Sequence, residues 1–295
     1  MLHPAAAGQG GRHVTDTPLT TRLASSRWDL ASVLTWAVVL IVFTLPICWI
    51  LVKALQPESL VFSSVISLTD FTLSNFFRAI DQGSLVSYTI STSIIALLTC
   101  AVVLPLGLIS GYALARFTFI GRGTLLFLFM FSLTIPGLTN LLAVYQVFSF
   151  ARLINNPLSL VILYSASSLP LSVWLLRAYI LSLPSEVEEA ALIDGCSRIG
   201  ILWRIVLPLA LPGVGAVAVL TVVSVFHEFI MAQTLVKITG IGVVNQGLWR
   251  LQTEYTLDYT GIAAASILVS VVPVLLFVVL QRQFISGMTA GAMKG

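Results

Sequence analysis

The chain has 295 residues, of which 58% are hydrophobic and only 9% are charged. Soluble domains carry about 25% charged residues, so this composition excludes an ordinary water-exposed surface. A net charge of only +3 with no dense basic cluster excludes a nucleic-acid-binding protein. The apolar residues occur in long uncharged runs, which indicates an all-α membrane protein.

Six stretches are long and apolar enough to cross a bilayer, since a spanning helix needs about 20 predominantly apolar residues. Each contains a proline, which membrane bundles tolerate because neighbouring helices and water satisfy the freed backbone carbonyls. Residues 1–30, before the first stretch, are rich in Ala, Gly, Ser and Thr and are predicted to be a flexible tail. The six predicted spans are residues 31–52, 85–113, 123–149, 157–180, 205–234 and 259–281.

The distribution of basic residues predicts the orientation. Ten of the 15 Lys and Arg residues fall on the side that would hold both termini and the loops after the second and fourth spans. Cytoplasmic loops of membrane proteins carry an excess of Lys and Arg. We therefore predict a multi-pass protein of the inner or plasma membrane with both termini in the cytoplasm.

The loop between the fourth and fifth spans carries the strongest local signal, the sequence LPSEVEEAALIDG from Leu183 to Gly195. Ser185 and Glu188 have the spacing of a capping box at a helix start. Three glutamates in the first turn suit the helix dipole, and Gly195 suits a left-handed helix end. The sequence predicts a short helix outside the membrane, a break at Gly195, and a second short helix toward Pro208.

This helix has two interpretations. A well-capped helix lying on the membrane surface would explain the capping pattern alone. Docking to a partner is favoured by its acidity on a side where basic residues are expected, and by the small residues Ala190 and Ala191. Leu192 and Ile193 would add exposed apolar area that a lone surface helix does not need. An acidic helix with a small apolar face is suited to a groove that carries basic residues.

The spacing from Glu189-Ala190-Ala191 through Gly195 and Ile205 to Leu207-Pro208 resembles the EAA loop of ATP-binding-cassette importer permeases. The resemblance assigns ATPase coupling to Glu189, Ala190, Ala191, Asp194, Gly195, Ile205, Leu207 and Pro208. In this family the helix sits in a cleft of the ATPase subunit, where its glutamate pairs with an arginine. That role is carried over to Glu189, with Gly195 permitting the bend between two coupling helices.

The resemblance extends over residues 31–295 and includes Gly111–Phe117 and Trp203–Leu209. It implies the type I importer permease fold, with a six-helix transmembrane domain over residues 31–286 and a coupling loop over residues 183–208. The end of the chain resembles the carbohydrate-uptake branch. In the maltose-transporting members this tail, here residues 287–295, contacts the ATPase subunits, which assigns such contact to Thr289, Gly291 and Lys294.

The resemblance also implies the partners. They are a second permease subunit, two ATP-binding-cassette ATPase subunits, an extracytoplasmic solute-binding protein, membrane lipid and a sugar. ATP and magnesium would be bound by the ATPase subunits, so the chain is predicted to hold no cofactor and to be no enzyme. Consistently, the sequence contains no Gly-x-x-x-x-Gly-Lys-Ser/Thr phosphate loop and no common hydrolase or metalloprotease motif.

A few polar residues lie inside the predicted spans. Glu228 and His227 are at membrane depth, where ionisable side chains are costly and mark functional candidates. They line a substrate pathway or, alternatively, pair within the bundle near the outer surface. Asn140 and Tyr145 follow a predicted kink at Pro136 and serve either the substrate or helix packing. The family commonly has Trp-Asn where this chain has Phe226 and His227, so an inherited substrate role is left open.

The sequence thus favours the permease subunit of an ATP-driven carbohydrate importer that works by alternating access. Its substrate is predicted to be an oligosaccharide or a related glycoside. The alternatives are an importer of glycerol phosphate or another small polar solute, and an ion-coupled secondary transporter. The latter needs mid-membrane carboxylates, for which only Glu228 is a candidate.

Overall fold

Contacts within the chain divide it into two compact units, residues 1–47 and residues 48–295. In the first unit, the described residues form the beginning of helix α1, which contains Pro46. The second unit contains the rest of α1 and every other helix below. The computed structural model describes residues 30–62, 68–135, 137–237, 241–252 and 257–292, and the predicted tail over residues 1–29 lies outside these ranges.

The regular elements of the described residues are helices, short 3-10 turns and one isolated bridge between Gln252 and Leu257. The helical fold predicted from the composition is thereby confirmed. The helices are α1 (Leu30–Leu55), α2 (Ser74–Gln82), α3 (Leu85–Arg116), α4 (Arg122–Thr134), α5 (Leu141–Phe150), α6 (Pro157–Ser182), α7 (Glu186–Ile193), α8 (Arg198–Ile201), α9 (Leu207–His227), α10 (Ile230–Leu235), α11 (Val244–Trp249) and α12 (Tyr259–Ala292).

Five helical stretches among the described residues are long and apolar enough to cross a membrane, and they overlap five of the six predicted spans. The predicted span over residues 205–234 differs most, because the helix begins at Arg198 and ends at His227. The remaining prediction, residues 123–149, corresponds to α4 and the segment Gly137–Phe150, which meet at a 94° bend. The sequence has a proline at position 136, which lies outside the described residues, and a proline disfavours a continuous helix because it has no backbone hydrogen-bond donor. The described residues thus contain five helices that could span a membrane by length and composition, or six when the bent pair counts as one.

α3 and α6 pack closely, because two glycines of α3 face α6. A Cβ atom added at Gly111 would lie 3.0 Å from the backbone nitrogen of Arg177 and 3.2 Å from the Cβ of Leu176. At Gly107 it would lie 3.2 Å from the Cβ of Ser172. Small residues at helix interfaces in membranes let two backbones approach, which increases the van der Waals contact that holds the helices together.

This packing yields a test of the fold. Gly111→Leu forces α3 and α6 apart, and overpacking of this kind costs about 1–3 kcal/mol. We expect a lower thermal unfolding midpoint for the detergent-solubilised protein. Gly123→Leu is the matched control, because an added Cβ there meets no atom within 4 Å. Equal midpoints for the two variants would contradict the close α3–α6 approach.

Buried apolar residues form two clusters at opposite ends of α3. One surrounds its beginning, where Leu85 and Tyr88 pack with residues of α2, α10, α11 and α12. The other surrounds its end, where Leu108 and Tyr112 pack with Ile180 and with the α7–α9 segment. α3 therefore connects the two ends of the bundle.

The segment before α3 is anchored by polar contacts. Arg78 on α2 donates to both carboxylate oxygens of Asp258, from Nε at 2.6 Å and Nη2 at 2.8 Å. Buried Asn75 donates to the backbone carbonyls of Ala54 and Gln56, both at 2.8 Å. These bonds join the end of α1 and the start of α12 to α2.

Candidate coupling site

The predicted loop helix is present as α7, but its start differs from the prediction. The backbone amides of Glu188 and Glu189 bond to the carbonyl of Ser185, whereas the Ser185 side chain caps nothing. The predicted capping box is therefore wrong. Glu188 is unavailable for it because its side chain points into the protein and is only 7% exposed.

Glu188 is held by two residues at the end of α3. Its Oε1 atom accepts from the Nε of Arg116 at 2.8 Å, and its Oε2 atom accepts from the hydroxyl of Tyr112 at 3.0 Å. Arg116 also donates from Nη2 to the backbone carbonyl of Leu183, at 3.0 Å. We call these groups of Glu188, Tyr112, Arg116 and Leu183 the Glu188 latch.

Other basic residues organise the turn next to the latch. Arg122 and Arg177 both donate from Nε to the backbone carbonyl of Leu114, each at 3.1 Å. The guanidinium of Arg198, at the start of α8, lies 5.5 Å from the centre of the Phe117 ring. The resembling motif Gly111–Phe117 thus forms the surface on which the coupling loop rests. Sequence reasoning identified this motif but not its contact with α7.

Gly195 ends α7 as predicted, with φ at +83°. The amide of Gly195 bonds to the carbonyl of Leu192 at 3.1 Å, and the amide of Cys196 bonds to that of Ala191 at 2.9 Å. This pair of bonds is a Schellman motif, which requires a residue that accepts the left-handed conformation. The predicted break after α7 is confirmed.

The second helix of the loop begins at α8, where the Ser197 hydroxyl accepts from the amide of Gly200 at 3.1 Å. It continues through a π-helical turn, Leu202–Val206, directly into α9. Pro208 accounts for this turn, because a proline removes a backbone donor and crowds the carbonyl four residues earlier. The second coupling helix is therefore the start of the fifth span and not a separate element.

α7 presents a mixed acidic and apolar surface to the outside. Glu189 and Ala190 are exposed, and Ile193 is 87% exposed. Ile199 on α8 is 72% exposed. We call the surface formed by Glu186, Glu189, Ala190, Ile193 and Ile199 the exposed face.

Two apolar residues of the motif lie elsewhere than predicted. Ala191 is buried and Leu192 is half-buried, and both pack into the cluster at the end of α3. They follow Glu188 on the inward side of a helix that turns every 3.6 residues. Only Ala190 and Ile193 supply the small and apolar surface that was expected of all four residues.

The other predicted coupling residues also divide into exposed residues and residues that pack inward. Asp194 and Pro208 are exposed, whereas Ile205 and Leu207 are half-buried against the cluster at the end of α3. Thr289 and Gly291 lie on the helical backbone of α12, whose side chains there are not described. Lys294 lies outside the described residues.

Glu228 is paired within the bundle and also lines a cavity, so each of its two predicted interpretations stays a prediction. Its carboxylate accepts from the Tyr164 hydroxyl at 2.7 Å and from the backbone amides of Met231 at 2.8 Å and Ala232 at 2.9 Å. It therefore caps the start of α10, at the break where α9 ends. Asn245 donates to the carbonyls of Phe226 and Glu228 across the same break, a role that sequence reasoning missed.

The four predicted pathway residues do not share one cavity among the described residues, and their place in a substrate pathway stays a prediction. Asn140 and Glu228 line one cavity of 610 Å³ between α4, α6 and the α9–α10 break. His227 lines a separate cavity of 250 Å³ with Asn245 and Ser270. Tyr145 lines neither and is 37% exposed on α5.

A hydroxyl-lined cavity of 270 Å³ adjoins the Asn140 cavity, with which it shares Leu133 and Ser167. Its polar lining comes from α6 and α9, where serine and threonine recur on facing helices. No signal in the sequence singled these residues out, because hydroxyls in membrane helices also bond to their own backbone. We call this lining the hydroxyl groove: Ser167, Ser168, Ser172, Thr221 and Ser224.

Comparison with known proteins places this geometry in a family. The family described as binding-protein-dependent transport system inner membrane component matches residues 103–290, which is more than half of the chain. The chain belongs to this family. It is a membrane permease of a binding-protein-dependent transport system, and the resemblance carried by the coupling loop is confirmed.

Several relatives in this family are similar over most of their length. The sulfoquinovosyl glycerol transport system permease protein SmoH of Agrobacterium fabrum is 32% identical, over 85% of this chain and 88% of its own. The diacetylchitobiose uptake system permease protein DasC of Streptomyces coelicolor is 31% identical, over 88% and 95%. The trehalose/maltose transport system permease protein MalG of Thermococcus litoralis is 30% identical, over 86% and 93%.

Solved structures support the same fold. A chain of a bacterial ABC transporter for import of the acidic polysaccharide alginate aligns with a TM-score of 0.71 at 20% identity, covering 88% of this chain and 98% of its own. A chain of the MetNI methionine ABC transporter in an inward-facing conformation aligns with a TM-score of 0.54 at 15% identity, covering 74% and 99%. The predicted importer permease fold is thereby confirmed.

Proposed function

We propose that this permease is one subunit of an ATP-driven importer for a carbohydrate, an oligosaccharide or related glycoside. It forms half of the translocation pathway beside a second permease. Two ATPase subunits bind and hydrolyse ATP with magnesium on the cytoplasmic side, where both termini lie. An extracytoplasmic binding protein delivers the sugar. Closure of the ATPases moves α7 and α8, and this movement rocks the spans between inward and outward access.

The observation that carries the coupling role is the division of α7 into two sides. Glu188, Ala191 and Leu192 bind it to its own chain, while Glu189 and Ile193 face outward. Ile193 is 87% exposed beside the exposed carboxylates of Glu186 and Glu189. The cytoplasmic leaflet is negatively charged and repels such carboxylates, so this surface is better suited to a protein partner than to the membrane. The exposed face is instead suited to an ATPase groove that combines apolar area with an arginine.

The carbohydrate assignment rests on the relatives and on the cavities. Relatives named for transport of diacetylchitobiose, galactooligosaccharides and trehalose or maltose align over most of the chain. The hydroxyl groove offers neutral hydroxyl oxygens beside apolar surface, which suits a polyhydroxylated solute. The hydroxyls of Ser167 and Ser172 donate to backbone carbonyls of α6, so towards a solute they can act only as acceptors. The described residues that line the two adjoining cavities include no lysine or arginine.

The alternatives are disfavoured by the same residues. A glycerol phosphate importer needs cationic donors for the phosphate, and the described lining carries the Asn140 amide and the Glu228 carboxylate but no lysine or arginine. An ion-coupled transporter needs a carboxylate that is free to bind the coupling ion. Glu228 already accepts three hydrogen bonds, one from Tyr164 and two from backbone amides.

ATP hydrolysis by the assembled complex tests the proposal. The permease, with its partner permease, ATPase subunits and binding protein, is reconstituted in proteoliposomes and exposed to maltose, trehalose, diacetylchitobiose, galactooligosaccharides and glycerol 3-phosphate. We expect at least one sugar to stimulate hydrolysis about tenfold, a difference that corresponds to about 1.4 kcal/mol. Stimulation by glycerol 3-phosphate alone would overturn the carbohydrate assignment. Uptake without any ATPase subunit would overturn the importer class.

A further inference from the structure

We infer that Glu188 is a positioning residue for energy coupling, and that it acts through the latch that fixes α7 to the ends of two spans. This inference rests on the proposed function, since it assumes that α7 receives movement from an ATPase subunit. The coupling assigned by resemblance concerns Glu189 and the exposed face. Glu188 lies on the opposite side of the same helix, where it determines which spans move when α7 is displaced.

The latch is a buried, charge-assisted contact. Each carboxylate oxygen of Glu188 has its own donor, the Nε of Arg116 at 2.8 Å and the Tyr112 hydroxyl at 3.0 Å. The Arg116 side chain is 14% exposed and that of Glu188 is 7% exposed. Such a pair is directional, and loss of either partner leaves the other charge buried without compensation.

One guanidinium joins three elements. Arg116 is the last residue of α3, its Nε binds α7 through Glu188, and its Nη2 binds the Leu183 carbonyl where α6 ends. A displacement of α7 is thereby transmitted to α3 and α6 together. Gly111 extends this unit, because it brings α3 against α6 one to two turns before the latch.

The apolar contacts of α7 do not fix the angle at which this helix is held. Ala191 and Leu192 pack into the cluster at the end of α3 with small or flexible side chains. α7 has only eight residues. Dispersion contacts hold such a helix near its site but permit it to roll or slide, whereas two donors on separate carboxylate oxygens fix its angle. Without the latch, ATPase movement would be absorbed by α7 and not delivered to the spans.

The test measures sugar imported per ATP hydrolysed, in proteoliposomes that contain the full complex. The sugar is the member of the panel above that stimulates hydrolysis most. The variants are Glu188→Gln, Arg116→Gln, their combination and Tyr112→Phe. Asp81→Asn is the matched control, because it removes one exposed carboxylate charge on α2, at the other end of α3.

We expect the ATPase subunits to remain bound in every variant, because the exposed face is unchanged. The ratio of sugar to ATP should fall at least about tenfold in Glu188→Gln and in Arg116→Gln, as for a buried pair that loses one partner. The combined variant should lower the ratio no further than the more damaging single variant does, since the effects of substituting two contacting residues are not additive. The ratio should fall by a smaller factor in Tyr112→Phe, and in Asp81→Asn it should equal the ratio of the unmodified complex.

An unchanged ratio in Glu188→Gln would overturn the inference. Parallel loss of uptake, hydrolysis and bound ATPase would also overturn it, because that pattern shows that Glu188 only keeps the loop folded. Failure of the proposed function has a different signature. The unmodified complex would then show no sugar-stimulated hydrolysis, and the inference would fall with it.

Discussion

Glu189→Lys should abolish uptake and binding-protein-stimulated ATP hydrolysis, while the permease still inserts and assembles with its partner permease. Glu189 is exposed on α7, and its side chain makes no hydrogen bond or ion pair among the described contacts, so its replacement leaves the fold intact. In the proposed docking it pairs with an arginine of the ATPase. Replacing one member of a buried pair costs about 3–5 kcal/mol, which is a hundredfold or more in affinity.

The measurement is ATPase co-purification and sugar uptake, with Asp81→Lys as the control. That variant makes the same charge reversal at an exposed carboxylate on α2, at the opposite end of α3. Glu189→Asp should give an intermediate loss, since the charge is kept but the reach is one methylene shorter. Normal uptake by Glu189→Lys would exclude the exposed face as the docking surface.

Local signals predicted the coupling loop well because they depend on neighbouring residues. Gly195 as a helix end follows from glycine's tolerance of positive φ, and the structure has it at +83°. The Ser185–Glu188 capping box failed because a tertiary contact competed for the same carboxylate. Arg116, 72 residues away in sequence, binds Glu188 more strongly than a backbone amide would. No pattern within the loop reports that contact.

The membrane pathway was harder to predict for the same reason. Spans follow from apolar length, but which polar side chains share a cavity depends on helix rotation and on breaks such as the bend between α4 and α5. Glu228 attracted a functional interpretation through its cost in a membrane. Its donors, Tyr164 and the first amides of α10, became evident only once the α9–α10 break was known. The hydroxyl groove could likewise not be predicted, because its residues come together only where α6 and α9 lie side by side.

Gly195→Pro should abolish coupling as completely as Glu189→Lys, but for a conformational reason. Proline fixes φ near −65° and has no amide hydrogen, whereas Gly195 has φ at +83° and donates to the Leu192 carbonyl. The turn between α7 and α8 therefore cannot form. We expect loss of uptake and of stimulated ATP hydrolysis, measured as for Glu189→Lys, with assembly of the two permeases retained.

Two further substitutions test whether position 195 requires the left-handed backbone conformation or the absence of a side chain. An added Cβ meets no atom within 4 Å, so any cost comes from the left-handed backbone alone. That cost is roughly 1–2 kcal/mol for most residues and lower for asparagine. Gly195→Asn should therefore keep most of the uptake, and Gly195→Ala should lose several-fold. Equal loss in the Asn and Pro variants would mean that the ATPase needs bare backbone at Gly195, and that the turn's left-handed geometry is not what limits coupling.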